Sequence, residues 1–215
     1  MDTLHLLLDY FLHLDHHLNQ AVATLGPWFY GLLFTIVFCE TGLVVTPFLP
    51  GDSLLFAVGA LAAAEGSPIS LGLAIGLLIV AAVLGDAVNY AAGKRIGPAI
   101  FRREDSRWLN RKHLDEAQRF YEKYGAKTIV IARFVPIVRT FAPFVAGIGK
   151  MGYRRFAAYN VVGGVAWVLV FTLAGYFFGD LPWVKNNFHY VIVAILVLSI
   201  IPVIVEVVRN RRVPR

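Results

Sequence analysis

Long apolar runs separated by short polar stretches make up most of the chain. Three of these runs, residues 69–97, 156–180 and 190–208, approach or exceed the roughly 20 residues that an α-helix needs to cross a bilayer. The pattern therefore predicts about three full transmembrane helices.

Two further apolar stretches, residues 28–64 and 128–149, are interrupted by prolines and charged side chains. Proline removes a backbone donor and clashes with the preceding turn, so a straight helix cannot continue through these positions. Each stretch is therefore predicted to form a re-entrant hairpin, in which two short helices meet at a break. The residues expected at the breaks are Pro47, Pro50 and Gly51 in the first hairpin and Pro136 and Pro143 in the second.

The N-terminal segment, residues 1–25, places its leucines on one stripe of a helix and most of its polar residues elsewhere. This pattern predicts an amphipathic helix that lies on the membrane surface. The segment 98–127 is polar and contains a second amphipathic stretch, which we expect along the headgroups. Although His13, His16 and His17 are helical neighbours, no carboxylate-rich cluster accompanies them, so we expect no metal site.

Composition supports a membrane protein, because 58% of the 215 residues are hydrophobic, 16% are charged and the mean hydropathy is +0.65. The predicted class is an all-α integral membrane protein with a single membrane domain. One cysteine, Cys39, excludes an internal disulfide framework. The net charge of +6 does not indicate nucleic-acid binding, since the basic residues border the spans and no such motif accompanies them.

The positive charges decide the predicted topology. No Lys or Arg precedes Lys94, whereas residues 93–127, 150–155 and 209–215 contain ten, three and four of the twenty. Since basic loops stay in the cytoplasm, all three stretches are expected there, and so is the C-terminus. Residues 128–149 must then enter and leave the bilayer on the cytoplasmic side. The first hairpin is expected to enter from the opposite face.

A weak internal similarity divides the chain into two halves. The helix after each hairpin ends in the pattern A-G-x-x-x-G, at residues 92–97 and 174–179. The simplest explanation of this pattern is close packing of helices through small residues. Together with the two opposed hairpins, it predicts an inverted repeat with a site near the middle of the bilayer, which is an architecture of transporters.

Four ionisable residues lie in or beside the two interrupted stretches, and their charges sum to zero: Glu40, Asp52, Arg133 and Arg139. Opposed hairpins would bring them into one buried polar site. A guanidinium fork suits bidentate phosphate contact, so the two arginines are the candidate phosphate ligands. A carboxyl group in a low-dielectric setting holds its proton more readily, so Glu40 and Asp52 are candidates for proton coupling. Asp86, near the end of the first span, is a secondary candidate.

The same four charges allow a second interpretation, in which they only pair with one another and lock the hairpins together. Pairing alone would satisfy buried charges without any contact to a substrate. The sequence leaves both interpretations open.

The interrupted stretches contain F-C-E-T-G-L-V-V-T-P-F-L-P-G-D-S-L-L (38–55) and I-A-R-F-V-P-I-V-R-T-F-A-P-F-V-A-G (131–147). These motifs, with G-D-A-V-N-Y (85–90) and the segment F-A-A-Y-N…W (156–167), resemble the DedA family of bacterial inner-membrane proteins. The resemblance covers nearly the whole chain. It implies lipid transport, including the recycling of undecaprenyl phosphate, and functional roles for the four charged residues named above.

The leading hypothesis is a proton-coupled flippase that moves an anionic lipid, such as undecaprenyl phosphate, across the bacterial inner membrane. A passive phospholipid scramblase and a non-transport factor in membrane homeostasis are the alternatives. An enzyme is not expected, because neither H-E-x-x-H nor G-x-S-x-G occurs and no histidine lies near the interrupted stretches. Expected partners are a polyprenyl phosphate or phospholipid, protons, the membrane and, if the chain forms a homo-oligomer, further copies of itself. No cofactor and no nucleic acid are expected.

Overall fold

A computed structural model of the protein describes residues 22, 24–43, 51–100, 125–149, 151–179, 181, 183–184, 190–191 and 194–195. Every regular element within these residues is helical, in agreement with the predicted all-α class. The helices are α1 (Trp28–Gly42), α2 (Gly51–Ala63), α3 (Leu71–Ile100), α4 (Thr128–Ala132), α5 (Pro136–Ile148) and α6 (Tyr153–Phe178). A short 3₁₀ turn, Gly125–Lys127, precedes α4.

The helices α3 and α6 have the length and composition of transmembrane helices. Each contains 26 residues that are apolar enough to cross a bilayer, Leu71–Ile96 and Tyr153–Phe178. At 1.5 Å per residue, such a helix extends about 39 Å, which exceeds the roughly 30 Å of the hydrocarbon core. Only 33% of the most apolar stretch in each helix is buried by the rest of the protein. Most of this apolar surface therefore faces outward, as contact with lipid requires and unlike the core helix of a soluble protein.

Four predicted segments fall wholly or mostly outside the described residues, and they stay predictions. They are the surface helix at 1–25, the amphipathic part of 98–127, the last span at 190–208 and the basic tail at 209–215. The stretch predicted to span at 69–97 corresponds to α3, and the one at 156–180 corresponds to α6.

The first interrupted stretch contains two short helices. α1 ends at Gly42, and α2 begins at Gly51. Pro47 and Pro50 lie outside the described residues. With 15 and 13 residues, the two helices are each too short to cross a bilayer alone. A re-entrant hairpin requires two such short helices. That this stretch enters and leaves the bilayer on one side stays a prediction.

In the second interrupted stretch the break precedes Pro136. α4 ends at Ala132, Arg133 follows as its C-terminal cap, and Val135 has an extended backbone with φ −119° and ψ 105°. Pro136 then begins α5, where its missing N–H leaves no helical hydrogen bond unmade. The proline therefore starts the second helix of the hairpin at a defined residue.

The prediction that Pro143 lies at the break is wrong, because α5 continues through this residue to Ile148. A proline inside a helix removes the hydrogen bond to the carbonyl four residues before it, here that of Arg139. One residue further on, the carbonyl of Thr140 accepts a hydrogen bond from the side-chain amide of Asn89, at 2.8 Å. A donor from α3 thus binds the turn that the proline weakens.

The described helices group into two compact units, where the sequence predicts one membrane domain. Within the described part of the chain, unit 1 draws on residues 1–36, 48–78 and 168–215, and unit 2 on residues 37–47 and 79–167. Unit 1 thus combines α2, from the first half of the sequence, with the end of α6, from the second. Unit 2 combines α4 and α5 with the larger part of α3. The units are therefore not the two sequence halves.

In unit 2, α3 and α5 approach each other through a pair of glycines. A Cβ atom added to Gly93 would lie 2.8 Å from the carbonyl carbon of Phe144. A Cβ atom added to Gly147 would lie 2.7 Å from the backbone nitrogen of Lys94. Both distances are shorter than real Cβ contacts, so the crossing requires glycine at both positions.

Unit 1 contains an equivalent crossing, between α2 and α6. A Cβ atom added to Gly175 would lie 2.7 Å from the carbonyl carbon of Phe56. A Cβ atom added to Gly59 would lie 2.9 Å from the backbone nitrogen of Tyr176. Backbone again meets backbone with no room for a side chain.

Both crossings use the same sequence pattern. The hairpin helix contributes Phe-x-x-Gly, at residues 56–59 and 144–147, and the long helix contributes the first glycine of A-G-x-x-x-G, Gly93 or Gly175. Each crossing joins a helix of one sequence half to a helix of the other. The internal similarity therefore corresponds to two close helix contacts, as packing through small residues predicts.

We expect Gly93→Ala to destabilise the protein, because the new methyl group would overlap the carbonyl of Phe144. Forcing atoms into a packed contact costs about 1–3 kcal/mol. Gly76→Ala, in the same helix, is the control, since nothing lies within 4 Å of its added Cβ. Thermal unfolding in detergent should show a lower midpoint for Gly93→Ala and an unchanged or higher one for Gly76→Ala. Equal midpoints for the two variants would contradict the close crossing.

Candidate functional site

Four charged side chains of unit 2 form a buried group, which we call the charge cluster. Glu40 lies in the last turn of α1, Asp86 within α3, Arg133 in the break before α5, and Arg139 in the first turn of α5. Their residues are 0, 4, 3 and 7% exposed, respectively. The two positive and two negative charges cancel, and buried charges are tolerated where they are paired in this way.

Arg139 and Glu40 form one ion pair, in which Nη2 of the arginine donates to Oε1 of the glutamate. The end of α1 lies close to α3, because residue 85 is a glycine. A Cβ atom added to Gly85 would lie 2.9 Å from the carbonyl oxygen of Phe38. The close approach places Glu40 next to the part of α3 that carries Asp86.

Arg133 donates from Nη2 to two acceptors, a carboxylate oxygen of Asp86 and Oδ1 of Asn160 on α6. Asn160 is itself held in place, since its amide donates to the carbonyl of Val83 at 3.0 Å. Gly163, on the next turn of α6, leaves room for the guanidinium: an added Cβ would lie 3.4 Å from Nε of Arg133. The arginine is therefore fixed by partners on two helices.

Asp86, the secondary candidate from the sequence, pairs with Arg133. Asp52 lies in unit 1, where it is buried in the first turn of α2. A carboxylate in that turn is stabilised by the positive end of the helix dipole. Of the predicted site residues, Glu40, Asp86, Arg133 and Arg139 lie in the charge cluster, and the role of Asp52 in the same site stays a prediction.

Trp167 connects the two arginines. The centre of its ring lies 5.3 Å from Cζ of Arg139 and 6.0 Å from Cζ of Arg133. An aromatic face attracts a cation at such distances, and more strongly where water is excluded, as around this fully buried ring. Two like charges are thereby held against one side chain. The sequence does not assign this role, because a tryptophan in an apolar span looks like any packing residue.

Asn89 on α3 holds the two helices that carry the first ion pair. Its side-chain amide donates to the carbonyl of Thr41 at 3.1 Å and to that of Thr140 at 2.8 Å. Thr41 lies in the last turn of α1, where carbonyls have no partner within their own helix. These threonines directly follow Glu40 and Arg139, so the amide fixes the backbone beside both charges. The signal in the sequence is a single amide within an apolar span.

A small pocket lies between the charged side chains. Thr41, Asp86, Arg133, Arg139 and Trp167 line it, and the empty space between and in front of these side chains is about 200 Å³. No part of this space is wide enough for a water molecule. Within the described residues, Nε and Nη1 of Arg133 have no hydrogen-bond partner. The site therefore holds donors suited to an anion, in a closed conformation.

Comparison with known proteins gives a family match over most of the chain. Residues 49–177 match the family described as the VTT domain. Protein DedA of Escherichia coli (strain K12) is 55% identical over 212 residues, which cover 99% of this chain and 97% of that protein.

Two further relatives are named as membrane proteins. Uncharacterized membrane protein Rv0364 of Mycobacterium tuberculosis (strain ATCC 25618 / H37Rv) is 47% identical over 183 residues, which cover 85% of this chain and 80% of that protein. Inner membrane protein YqjA of Escherichia coli (strain K12) is 40% identical over 160 residues, which cover 71% of this chain and 69% of that protein. No solved structure matches the chain.

We expect Arg139→Ala to destabilise the protein strongly, because it removes the guanidinium that pairs with the buried Glu40. Removal of one partner from a buried pair costs about 3–5 kcal/mol. The double variant Glu40→Gln/Arg139→Gln leaves no charge behind and should be less destabilised. Unfolding in detergent measures both, with Glu65→Gln as control, since Glu65 is an exposed acid of unit 1. A double variant no more stable than Arg139→Ala would contradict the pairing.

Proposed function

The chain belongs to the DedA family of VTT-domain membrane proteins, and from that premise we propose that it moves an anionic lipid across the bacterial inner membrane, coupled to protons. The observation that carries this proposal is the pair of guanidinium groups held 5.3 and 6.0 Å from one buried tryptophan ring. Ionisable side chains inside membrane segments are rare and mark substrate or proton pathways.

A phosphate group is the chemistry that best fits two such arginines. Each guanidinium presents a planar fork of donors that matches two oxygens of a phosphate. Arg133 has donors to spare on Nε and Nη1, considering the described residues. Undecaprenyl phosphate and phospholipids both join a phosphate to long apolar chains, which would lie along the outward-facing apolar surface of α3 and α6.

The surface of unit 2 also favours an anionic lipid. Its exposed charged side chains, among the described residues, are all basic: Lys94, Arg95, Lys127, Arg154 and Arg155. The end of α3 and the start of α6 meet there, where the ring centres of Tyr90 and Tyr153 are 5.6 Å apart. Basic side chains near a membrane attract anionic headgroups. We place this end of unit 2, and with it the C-terminus, on the cytoplasmic side.

Transport requires the site to open, because the closed pocket does not admit even a water molecule. Two re-entrant hairpins that enter from opposite faces would allow the site to open to one side at a time. Glu40 and Asp52 are the proton carriers predicted from the sequence. A buried carboxylate that loses an arginine to the phosphate takes up a proton, because the charged form is then disfavoured. Lipid and proton would thus move in one cycle.

Passive scrambling of phospholipids is the second candidate, and it is favoured because each arginine of the cluster is already paired with an acid. Such ion pairs could line a polar path for lipid headgroups while both acids stay ionised. The same pairing is also compatible with a non-transport role in membrane homeostasis, in which the cluster only holds unit 2 together.

Transport in liposomes separates these functions. We expect the reconstituted protein to move a polyprenyl phosphate across the bilayer, and a pH gradient to accelerate it. Arg133→Lys keeps the charge but loses the planar fork, so it should reduce the rate by about tenfold or more. Glu65→Gln, in the exposed loop of unit 1, should transport at the wild-type rate.

Three results would contradict the proposal in different ways. No binding and no movement of the lipid would exclude transport of this substrate. An Arg133→Lys variant as fast as the wild type would exclude the arginine as a phosphate ligand. A rate that does not depend on the gradient and is unchanged by Glu40→Gln would favour the scramblase.

A further inference from the structure

We propose that Asp86 is the carboxylate that gives up Arg133 to the lipid phosphate and binds a proton as it does so. The assignment rests on the proposed function and names the acid through which the movements of lipid and proton are coupled. The sequence predicts proton coupling for Glu40 and Asp52, and the position of Asp86 is the reason to assign this step to a third acid.

Asp86 lies where an anion entering the charge cluster would arrive. Of the two acids in the cluster, Asp86 lines the pocket, and its side chain is 6% exposed against 0% for Glu40. Arg133 lines the same pocket and carries N–H groups, on Nε and Nη1, that have no hydrogen-bond partner among the described residues. An anion in this pocket would therefore lie beside Arg133 and Arg139, and the acid that it would meet is Asp86 and not Glu40.

The hydrogen bonds of Arg133 make this encounter an exchange. Both donor forks of its guanidinium, Nη1 with Nη2 and Nε with Nη2, include Nη2, which already donates to Asp86 and to Asn160. A phosphate that binds through either fork therefore competes with these two acceptors. One of the two acceptors of Arg133 must leave. Asn160 is neutral and is held by its own hydrogen bond to the carbonyl of Val83. Asp86 carries the charge that repels a phosphate, so it is the acceptor that leaves.

Charge balance then requires a proton. The two ion pairs of the cluster sum to zero, and a phosphate monoanion would leave the buried site with one uncompensated negative charge. A proton from water, on the side where the lipid enters, bonds to a carboxylate oxygen of Asp86 and restores neutrality. When the phosphate leaves, the proton returns to water and the carboxylate returns to Arg133.

In the described part of the chain, the polar and aromatic groups that line the pocket with Asp86 or bind its arginines come from three parts of unit 2, and one of them is acidic. They are Glu40 and Thr41 of α1, Arg133 and Arg139 of the second hairpin, and Asn160 and Trp167 of α6. The acid Glu40 is paired with Arg139, so its charge stays balanced while Asp86 exchanges. Asp86 therefore binds a proton when the phosphate binds Arg133 and releases it when the phosphate leaves.

Proton uptake on anion binding tests this assignment. The purified full-length protein in detergent is titrated with farnesyl phosphate in weak buffer, and a pH-sensitive dye reports the protons bound. We expect Asp86→Asn to take up about one proton fewer per bound farnesyl phosphate than the wild type. As the pH rises, the affinity for farnesyl phosphate should fall in both proteins or in the wild type alone. For each pH unit, the fall in the wild type should be about tenfold greater than in Asp86→Asn.

The variants are chosen so that each outcome has one meaning. Asp86→Asn keeps an oxygen for Arg133 and removes the titrating group, whereas Glu65→Gln removes an exposed acid of unit 1 and should behave like the wild type. Equal proton uptake by the wild type and Asp86→Asn would overturn the role of Asp86 and leave the proposed function intact. A wild-type protein that does not bind farnesyl phosphate would overturn the proposed function itself.

A second measurement assigns the proton to one of the two acids and applies also if Asp86→Asn does not fold. Infrared difference spectra are recorded on adding farnesyl phosphate to the wild type and to Glu40→Gln/Arg139→Gln, which keeps the cluster neutral because it removes one ion pair whole. Both should show the carbonyl band of a newly protonated carboxylic acid, because the proton is on Asp86. A band present in the wild type and lost in the double variant would assign the proton to Glu40, and no band in either would show that no carboxylate is protonated. Each of these results overturns the assignment.

Discussion

Two buried arginines at the break between α4 and α5 are the constraint on which the rest of this structure depends. An arginine at the centre of a membrane helix costs about 2.5–3.5 kcal/mol on insertion, so it requires partners that replace water. Glu40 and Asp86 supply the negative charges, Asn160 supplies an amide oxygen, and Trp167 supplies an aromatic face. Because these partners lie on α1, α3 and α6, pairing the arginines fixes the arrangement of the helices in unit 2.

Glycines make this arrangement possible, since charged side chains meet only if the backbones that carry them come close. Gly85 brings the end of α1 to α3, and Gly163 leaves room for Arg133 beside α6. The crossing of α3 and α5 through Gly93 and Gly147 sets the second hairpin against the same helix. In unit 1, α2 and α6 cross in an equivalent way through Gly59 and Gly175. The repeated pattern in the sequence thus marks the contacts that position the hairpin helices.

The framework of helices was predictable from the sequence because its signals are local. Apolar length identifies α3 and α6, and the proline at 136 identifies the start of α5. The continuation of α5 through Pro143 was not predictable, since the helix is held by contacts distant in sequence, such as the hydrogen bond from Asn89 to Thr140, 51 residues apart. Likewise, a charge in an apolar stretch is conspicuous, but which acid pairs with which arginine depends on the helix faces that meet. The pairing of Asp86 with Arg133 and the contact of Trp167 with both arginines therefore emerged only from the packing.

Mass spectrometry of the lipids that co-purify with the full-length protein is the most direct test of whether the arginine pair holds a lipid phosphate. Wild type and Arg133→Lys are purified in parallel from one bacterial host, and their unfolding midpoints are compared to exclude a folding defect. We expect the wild type to retain an anionic lipid with a phosphate group and the variant to be depleted of it. Equal retention of the same lipids by both proteins would contradict a role of the charge cluster in lipid binding.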